Sequence, residues 1–559
     1  METRNLILAI SLSILVFMVY QYFFAPPPPA QPVPAKKEVV QEKSAPTRKL
    51  TTTAPAAIKI LQATKGKDIL VETDIVKAIV NTAGGVITGW ELKKYREAEK
   101  TQVGITALYK KITGQVRQEE KPKKELGNVQ LLPDKEEGTL KDIIFPLTIV
   151  PLDKALSKLS LVEYHSSQDK VQLGKEKPSE SILLTYRGPS GLMIEKSLTF
   201  YNDEYKVDVV IKTKGVDGYN LSLGTDFGFA DKVSSDASGR VGIVAQIDGK
   251  FISEKIEKIK GEQQYTGTIE WFGQEDKYFT AAILYGDPGI ITSKRTTAPT
   301  ETDDLLTSEL TVKEMPEKRT YTLFAGPKSY TILASYGHGL EQMVDYGWFS
   351  IIAKPMFWLM EFFYNIAKNY GIAIILLTIV VRILLFYPSL KSALSMEEMK
   401  KLQPLITELK EKFKKDPKRV QQETMKLYKE HKVNPLGGCL PMLMQFPFFI
   451  ALYNVLSVSI ELRQKPFISF WIKDLSVYDP YYVLPVLMGV SMILMMKMTS
   501  TTGDPQQVKI MMFMNIAFIF LFAWLPAGLL LYITLSNVLS IVQQMYVHSI
   551  ISRQTAKTG

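Results

Sequence analysis

The sequence predicts a polytopic α-helical membrane protein with six transmembrane helices, a large periplasmic β-sandwich domain and a cytoplasmic helical hairpin. Three observations predict this fold class. An uncharged apolar stretch lies near the N-terminus, five more apolar stretches follow residue 370, and the interval before them alternates polar and apolar residues. A chain of 559 residues also exceeds what one hydrophobic core holds, so we expect separate membrane and extramembrane domains.

Residues 1–24 form the first predicted span. Its uncharged part, NLILAISLSILVFMVYQYFF, has about the 20 residues that cross a hydrocarbon core of roughly 30 Å. The following FFAPPPPAQ offers no small-x-small cleavage site, which favours a retained anchor over the alternative, a cleaved signal peptide. Residues 25–56 are rich in Pro, Ala and Lys, and we expect an extended linker there.

Residues 57–340 are predicted to form the β-sandwich. Within SLTFYNDEYKVDVVIKTK (197–214), two runs of alternating polarity flank YNDE, a pattern typical of an antiparallel hairpin. The interval holds no P-loop, G-x-S-x-G or H-E-x-x-H motif, and Cys439 is the only cysteine of the chain. We therefore predict no catalytic site, no cofactor, no intramolecular disulfide and no thiolate metal site.

The segment 346–370 is rich in aromatic residues interleaved with Lys354, Glu361 and Lys368. Aromatic rings and amphipathic helices settle at the boundary between lipid and water. We therefore predict an interfacial amphipathic helix that lies flat on the membrane before the chain enters it.

Five further transmembrane helices are predicted at 371–388, 437–458, 481–498, 510–525 and 527–547. Their connections differ in charge, because 389–436 carries twelve Lys or Arg and 459–480 carries three. The positive-inside rule places 389–436 in the cytoplasm. The loop 499–509 and the tail 548–559 are then cytoplasmic as well, and both termini lie inside. The loop 459–480 and the β-sandwich lie on the opposite side, in what would be a periplasm.

The loop 389–436 has a helical periodicity of its own. Apolar residues such as Leu402 and Ile406 keep three- and four-residue spacing, KKDPKR breaks the run, and Leu427 resumes it. This pattern predicts a helical hairpin with an apolar seam and a basic outer face, in which Pro404 kinks or divides the first arm. The basic residues singled out on this hairpin are Lys400, Lys401, Lys414, Lys415 and Arg419.

Arg382 stands inside the apolar run IILLTIVVRILLFYP (374–388). A charge in mid-span costs roughly 2.5–3.5 kcal/mol on insertion scales, so it usually faces protein or trapped water. The alternative is snorkelling, because the cytoplasmic end of the span is only about 8 Å away. The five later spans contain no Asp or Glu to pair with it, although they contain scattered polar residues: Thr378, Gln445, Asn515, Ser536, Asn537, Gln543 and Gln544. We interpret the whole set as a water-filled groove.

Methionine is concentrated in the later spans. Eight methionines fall between positions 488 and 514, and Met442 and Met444 precede them. Flexible, polarizable side chains suit a surface that accepts many different apolar partners. The alternative is that these methionines are ordinary apolar filler.

Several motifs occur together in this part of the chain: TIVVRILLFYP, KVNPLGGCLPMLMQFPFFIALY, ELRQKPF, DPYYVLPVLMGV and WLPAGLLLYITLSN. In order and spacing they resemble the YidC-type membrane protein insertases of the YidC/Alb/Oxa superfamily, in the Gram-negative form with a large periplasmic domain. The resemblance is strongest over 340–550. Over 57–330 it rests on placement, size and β-character.

The resemblance implies a protein that inserts newly made inner-membrane proteins and helps them fold, alone or beside the Sec translocon, without nucleotide hydrolysis. It implies a hydrophilic groove, built from the second to sixth spans, that opens to the cytoplasm and to lipid. The matching groove residues are Arg382, Thr378, Gln445, Trp524 and Tyr532. The apolar residues expected to touch substrate are Met444, Phe449, Met488 and Met492. The basic hairpin would meet the arriving substrate.

The expected partners are nascent inner-membrane proteins, the Sec translocon and membrane lipids, with no sequence-specific nucleic acid. The short tail SRQTAKTG carries only Arg553 and Lys557, so we expect at most a transient contact with the ribosome. Two other functions stay open. One is a small-solute transporter that uses Arg382 as an intramembrane anion site, although the spans show no internal repeat. The other is a membrane-anchored scaffold in which the β-sandwich performs the function.

Overall fold

A computed structural model gives the fold, and it describes residues 66–97, 127–133, 143–230, 241–297, 304–313, 317–414, 416–431, 433, 440–499 and 505–558. The predicted anchor at 1–24 and the linker at 25–56 lie outside the described residues, as do Lys415 and Cys439. Within these ranges, a two-sheet β-domain precedes a set of helices.

A five-stranded sheet forms one layer of the described β-domain. Its order is β4-β3-β2-β1-β7, and all its pairs are antiparallel except β1 with β7, which is parallel. The strands are β1 Asp68–Glu72, β2 Val76–Asn81, β3 Val86–Arg96, β4 Asn128–Gln130 and β7 Lys170–Gln172. Buried residues such as Ile69, Val71 and Trp90 give this sheet an apolar face.

A twelve-stranded sheet forms the other layer in the described part of the chain. Its main path is β13-β12-β14-β15-β17-β10-β9-β8-β6, with β16 on β15, β11 on β16 and β5 on β11. The strands are β5 Ile149–Pro151, β6 His165–Ser166, β8 Ser179–Arg187, β9 Met193–Tyr201, β10 Lys206–Lys214, β11 Tyr219–Thr225, β12 Gly242–Ile247, β13 Lys250–Lys255, β14 Glu262–Glu275, β15 Phe279–Thr297, β16 Asp304–Val312 and β17 Lys318–Pro327.

The hairpin predicted at 197–214 is present. β9 and β10 pair antiparallel with Phe200 opposite Val207, and buried and half-buried residues alternate along both strands. The two sheets share one core, across which the indole nitrogen of Trp90 donates to the carbonyl of Ala325 at 3.1 Å. The β-sandwich that alternating polarity predicted is therefore confirmed.

Lys196 is an exception in this core, because it is a charged residue of β9 with no exposed surface. Its ammonium donates to the carbonyls of Gly84 at 2.8 Å, Gly85 at 3.0 Å and Leu147 at 2.8 Å. Three N–H donors thus meet three acceptors, and two of these bonds tie β9 to the turn between β2 and β3, while the third reaches the segment before β5. Burial lowers the pKa of Lys196 to about 7, and the three carbonyls oppose this shift because they favour the charged form.

The C-terminal part of the described chain is helical. The helices are α1 Tyr330–Tyr336, α2 Ser350–Ala367, α3 Tyr370–Leu384, α4 Phe386–Lys401, α5 Gln403–Lys412, α6 Pro417–Glu430, α7 Leu440–Val458, α8 Val483–Thr499, α9 Pro505–Phe522 and α10 Ala527–Thr558. We call α3, α7, α8, α9 and α10 together the bundle.

One described helix, α10, has a stretch long and apolar enough to cross a membrane by itself, Ala527–Ser549. α3 and α4 meet the same criteria only as a pair, bent by 63°. Shorter apolar stretches lie in α7, α8 and α9: Leu443–Val458, Val483–Met498 and Met512–Phe522. These helices lie where later spans are predicted, whereas the number of six spans stays a prediction.

The predicted span 371–388 runs across the bend. α3 ends at Leu384, Leu385 occupies the bend, and α4 begins at Phe386. Pro388 explains the break, because it has no N–H for the carbonyl of Leu384 and its ring crowds that carbonyl. The apolar run predicted one continuous span, whereas the proline indicates a bend within it.

Pro404 divides the first arm of the predicted hairpin. α4 ends at Lys401, and α5 begins at Gln403 with Pro404 in its first turn. The apolar seam is also present, and it contains Met399, Leu402, Ile406, Leu427, Tyr428 and Val433. The cytoplasmic location of these helices stays a prediction.

The β-domain meets the bundle at the loop that follows α7. Arg463 donates to the carbonyl of Arg96 at 2.8 Å, and its guanidinium lies 5.5 Å from the ring centre of Phe279. Asn454 of α7 donates to the carbonyl of Tyr346 at 2.7 Å. Hydrogen bonds and a cation–π contact therefore join the two parts of the described chain at this junction.

Glu461 contributes a buried carboxyl group to the same junction. Its Oε1 is shielded from solvent, and the side chain interacts with Ser329. Burial raises the pKa of Glu461 to about 7, and repulsion from Glu361 adds to the shift. The pKa of Glu361 is itself raised by burial. The junction therefore contains a carboxyl that titrates near neutral pH.

Replacing Lys196 with Met should lower the free energy of unfolding by about 3 kcal/mol, because three buried carbonyls would lose their donors. Denaturant unfolding of the purified full-length chain, followed by tryptophan fluorescence, measures the change. Lys212→Met is the matched control, since Lys212 lies on the neighbouring strand in a partly exposed pair with Glu195. Its loss should cost less than about 1 kcal/mol. Equal losses in the two variants would contradict the structural role of Lys196.

Stability should fall as pH rises from about 4.5 to about 7, because the folded chain keeps a proton on Glu461 that the unfolded chain releases. The shift corresponds to about 3 kcal/mol across that window. Melting profiles of the wild-type chain and Glu461→Gln over this pH range measure the effect. The variant should lose this part of the pH dependence, and parallel profiles would rule out the assignment.

Candidate functional site

Arg382 lies in the last turn of α3, where the bundle half-buries it. Its Nε donates to the Oγ of Ser536 at 3.0 Å. Its Nη2 donates to the backbone carbonyl of Ser536 at 2.5 Å and to the Oε1 of Gln445 at 3.2 Å. Ser536 belongs to α10 and Gln445 to α7, so one guanidinium joins three helices.

A guanidinium has five N–H donors, and three of those on Arg382 are used in these bonds. Within the described ranges, the two N–H groups on Nη1 meet no acceptor. Ser536 fills the side of the guanidinium that carries Nε. The opposite edge, formed by Nη1 and Nη2, is only half occupied, by Gln445.

The acceptors around Arg382 are all uncharged: a hydroxyl, a backbone carbonyl and a side-chain amide. In the part of the chain that the structure describes, Arg382 makes no ion pair with a carboxylate. A buried charge is tolerated when hydrogen bonds replace its water, but neutral partners do not cancel its field. The site therefore holds a fixed positive charge that can attract an anionic group.

Gln445 and Ser536 also bind each other, through a bond of 2.8 Å from Nε2 to Oγ. Because the guanidinium only donates, the Oε1 of Gln445 must face it and the NH2 group must face Ser536. The carbonyl of Ser536 accepts a further bond, from the hydroxyl of Ser540 at 3.0 Å. We call Arg382, Gln445 and Ser536 the arginine network.

Two other predicted groove residues flank the arginine network. Thr378 lies one turn before Arg382 and is fully buried, and its hydroxyl donates to the carbonyl of Ile374 at 2.6 Å within α3. Tyr532 lies one turn before Ser536 and is fully buried. Its hydroxyl interacts with the side chains of Gln445 and Ser536, so it lies beside the arginine network.

In the described part of the chain, the remaining predicted contacts take no part in the hydrogen bonds of the arginine network. Met488 is fully buried, and three other predicted substrate contacts pack half-buried around the core: Met444, Phe449 and Met492. Trp524 is exposed in the turn before α10. The axis of α10 rises about 14 Å between Ala527 and Ser536, which separates Trp524 from the arginine network.

Lys400 differs from the other basic residues of the predicted hairpin. It donates to Glu397 at 2.8 Å and to the carbonyl of Met498, near the end of α8, at 2.5 Å. The other described members are exposed: Lys401, Lys414 and Arg419. Lys400 therefore attaches α4 to α8, while the others present positive charge to solvent.

Helix α2 is amphipathic in the described structure. Its buried side contains Ala353, Met356, Phe357 and Met360. Large apolar residues at helical spacing remain exposed on another side: Ile351, Trp358, Phe362 and Ile366. An exposed face of this composition indicates contact with lipid or with another protein.

Ser536 is one of several scattered polar residues in the sequence of the later spans, and the structure singles it out. Three of the others bond elsewhere: Asn515 to Met496, Asn537 to Ser491 and Gln543 to the carbonyl of Phe386. The signal that could have found Ser536 is its spacing, four residues from both Tyr532 and Ser540. These three residues lie on one face of α10, the face that meets Arg382.

Two family models match the chain. The YidC periplasmic domain matches residues 68–359, and the 60Kd inner membrane protein matches residues 362–554. The first match covers the β-domain together with α1 and most of α2, and the second covers α3 to α9 and nearly all of α10.

Similar proteins extend over the whole chain. The membrane protein insertase YidC of Geobacter metallireducens is 35% identical over 573 residues, with 100% of both chains covered. That of Syntrophus aciditrophicus is 35% identical, with 98% of this chain and 99% of the relative covered. A crystal structure of an active YidC insertase covers 85% of this chain and 92% of its own, at 18% identity and a TM-score of 0.37. By its identity to full-length relatives, the chain belongs to the YidC family of membrane protein insertases.

Proposed function

We propose that this chain inserts newly made proteins into the bacterial inner membrane and helps them fold, through a hydrophilic groove around Arg382. The observation that carries the proposal is a guanidinium held by uncharged groups of α7 and α10, with two N–H donors unused among the described contacts. Membership of the insertase family supports the same activity.

Desolvation is the main barrier to moving a polar segment across a membrane. A groove that carries water partway across shortens the dry path, and Arg382 draws an acidic or polar tail into it. The membrane potential, worth about 2.3 kcal/mol per charge per 100 mV, pulls acidic tails towards the positive outside. Burial of roughly 20 apolar substrate residues in lipid then drives insertion without nucleotide hydrolysis.

The proposed topology places 389–436 in the cytoplasm and the β-domain in the periplasm, because basic residues are concentrated in 389–436. The exposed apolar side of α2 then lies in the outer interface of the membrane. Exposed basic residues of α4 to α6 meet the acidic parts of arriving substrates, and the Sec translocon and a transient ribosome contact complete the proposed partners.

The proposed lateral exit leads past apolar surfaces of the bundle. Several large side chains are exposed there, among them Ile383 and Leu384 of α3, Val486 of α8 and Val542 of α10. Half-buried Met444 and Met492 lie behind such surfaces and adapt to different substrate side chains. An apolar segment that leaves the groove therefore passes from flexible protein surface to lipid.

Arg382→Ala should reduce insertion of a single-span protein with an acidic translocated tail at least about tenfold, because the groove loses its positive charge. Arg382→Lys should retain most insertion, because it keeps the charge. The measurement uses liposomes that contain the purified chain alone, with protease protection of the tail as the readout.

The same substrate with Asn in place of each Asp of its tail is the matched control, and Arg382→Ala should affect its insertion far less. Equal loss in the Lys and Ala variants would assign the role to guanidinium geometry instead of charge. Protection that is the same in empty liposomes, wild-type liposomes and variant liposomes would contradict the proposed function. Stoichiometric binding of a small anion would favour the transporter alternative.

A further inference from the structure

Gln445 lies at the edge of the Arg382 guanidinium that Ser536 leaves open, and it bonds only one of the two nitrogens of that edge. Its Oε1 lies 3.2 Å from Nη2, and its Nε2 lies 2.8 Å from the Oγ of Ser536. Both bonds require the amide in a single orientation. A glutamate of the same shape could also reach Nη2, and it would form a charge-assisted bond there. The amide at this position thus holds the guanidinium without neutralising it.

We infer that Gln445 determines the charge preference of the groove, because its neutral amide keeps Arg382 in place yet leaves the positive charge available to carboxylates of the substrate. This inference rests on the proposed function and names the substrate feature that the groove selects. Gln445 then positions Arg382 and also sets which substrate charge the groove prefers.

A substrate carboxylate has a clear way to bind. It approaches the half-occupied edge of Arg382, takes Nη1 and Nη2 as two parallel donors, and replaces the Oε1 of Gln445. Gln445 can keep its bond to Ser536, so the displaced amide does not lose all of its partners. Ser536 continues to hold the other side of the guanidinium through its hydroxyl and its carbonyl. Release of the carboxylate restores the resting contacts.

The test compares insertion of the acidic-tail substrate with insertion of its Asp-to-Asn counterpart, and the readout is the ratio of the two. Gln445→Glu should lower this ratio roughly tenfold or more, because an internal carboxylate competes for the guanidinium. Gln445→Met removes the hydrogen bonds without adding charge, so the ratio should stay within about twofold of the wild-type ratio even if total insertion falls. A role that is only structural would lower both substrates together.

A second version of this experiment adds a negative charge at position 445 after the protein has folded. Cys439, the only cysteine, is replaced by Ser, and Gln445→Cys is introduced into that background. The purified chain in liposomes is then treated with a methanethiosulfonate that carries a sulfonate, a trimethylammonium or a methyl group. The sulfonate should lower the ratio, whereas the methyl group should leave it unchanged and the ammonium should not lower it. Asn515→Cys is the matched control, because Asn515 contacts Met496 and lies outside the arginine network.

The outcomes separate the inference from the proposed function. A preference for the acidic tail that disappears in Arg382→Ala, yet persists in Gln445→Glu and in the sulfonate adduct, would overturn the inference and leave the proposed function intact. An acidic-tail preference unaffected by Arg382→Ala would overturn both. Equal effects of the sulfonate at positions 445 and 515 would also overturn the inference, because any negative charge in the bundle would then suffice.

Discussion

A permanent charge in an apolar bundle must be hydrogen-bonded, and this constraint determines how α3, α7 and α10 meet. Arg382 finds its acceptors on two other helices, a serine that offers both hydroxyl and carbonyl and a glutamine amide. Loss of any of them would remove a hydrogen bond to a charged group, which costs about 1.5–3 kcal/mol. These hydrogen bonds therefore fix how the three helices are placed relative to one another, in addition to apolar packing.

The chain contains a second buried cation, and the comparison clarifies the first. Lys196 of the β-sandwich is fully buried, and its three N–H donors meet three carbonyls. Arg382 is half-buried, and only three of its five donors are used among the described contacts. Both lack a carboxylate partner in these contacts, but Lys196 has no capacity left for a ligand. A saturated cation fixes a fold, whereas an unsaturated one that water can reach is suited to binding.

The sequence predicted what depends on composition and periodicity. Alternating polarity located the hairpin at 197–214, and one Arg in an apolar run located the polar centre, because both signals are local in the chain. The choice of Ser536 over its polar neighbours could not be predicted, since it depends on how α10 is rotated against α3. Lys196 was missed for a related reason: its acceptors are backbone carbonyls far away in sequence. Pro388 was a local signal, and the apolar run obscured it.

The bend at Pro388 and the charge at Arg382 belong to one arrangement. Because Pro388 cannot donate to the carbonyl of Leu384, α3 stops there and Arg382 falls in its last turn. The last turn of a helix carries a partial negative charge, which favours a cation by about 0.3–1 kcal/mol. Arg382 thus gains electrostatic support that needs no carboxylate and leaves its guanidinium available. After the bend, α4 leads to Lys400 and its contact with α8, so the residue that ends α3 also directs the chain across the bundle.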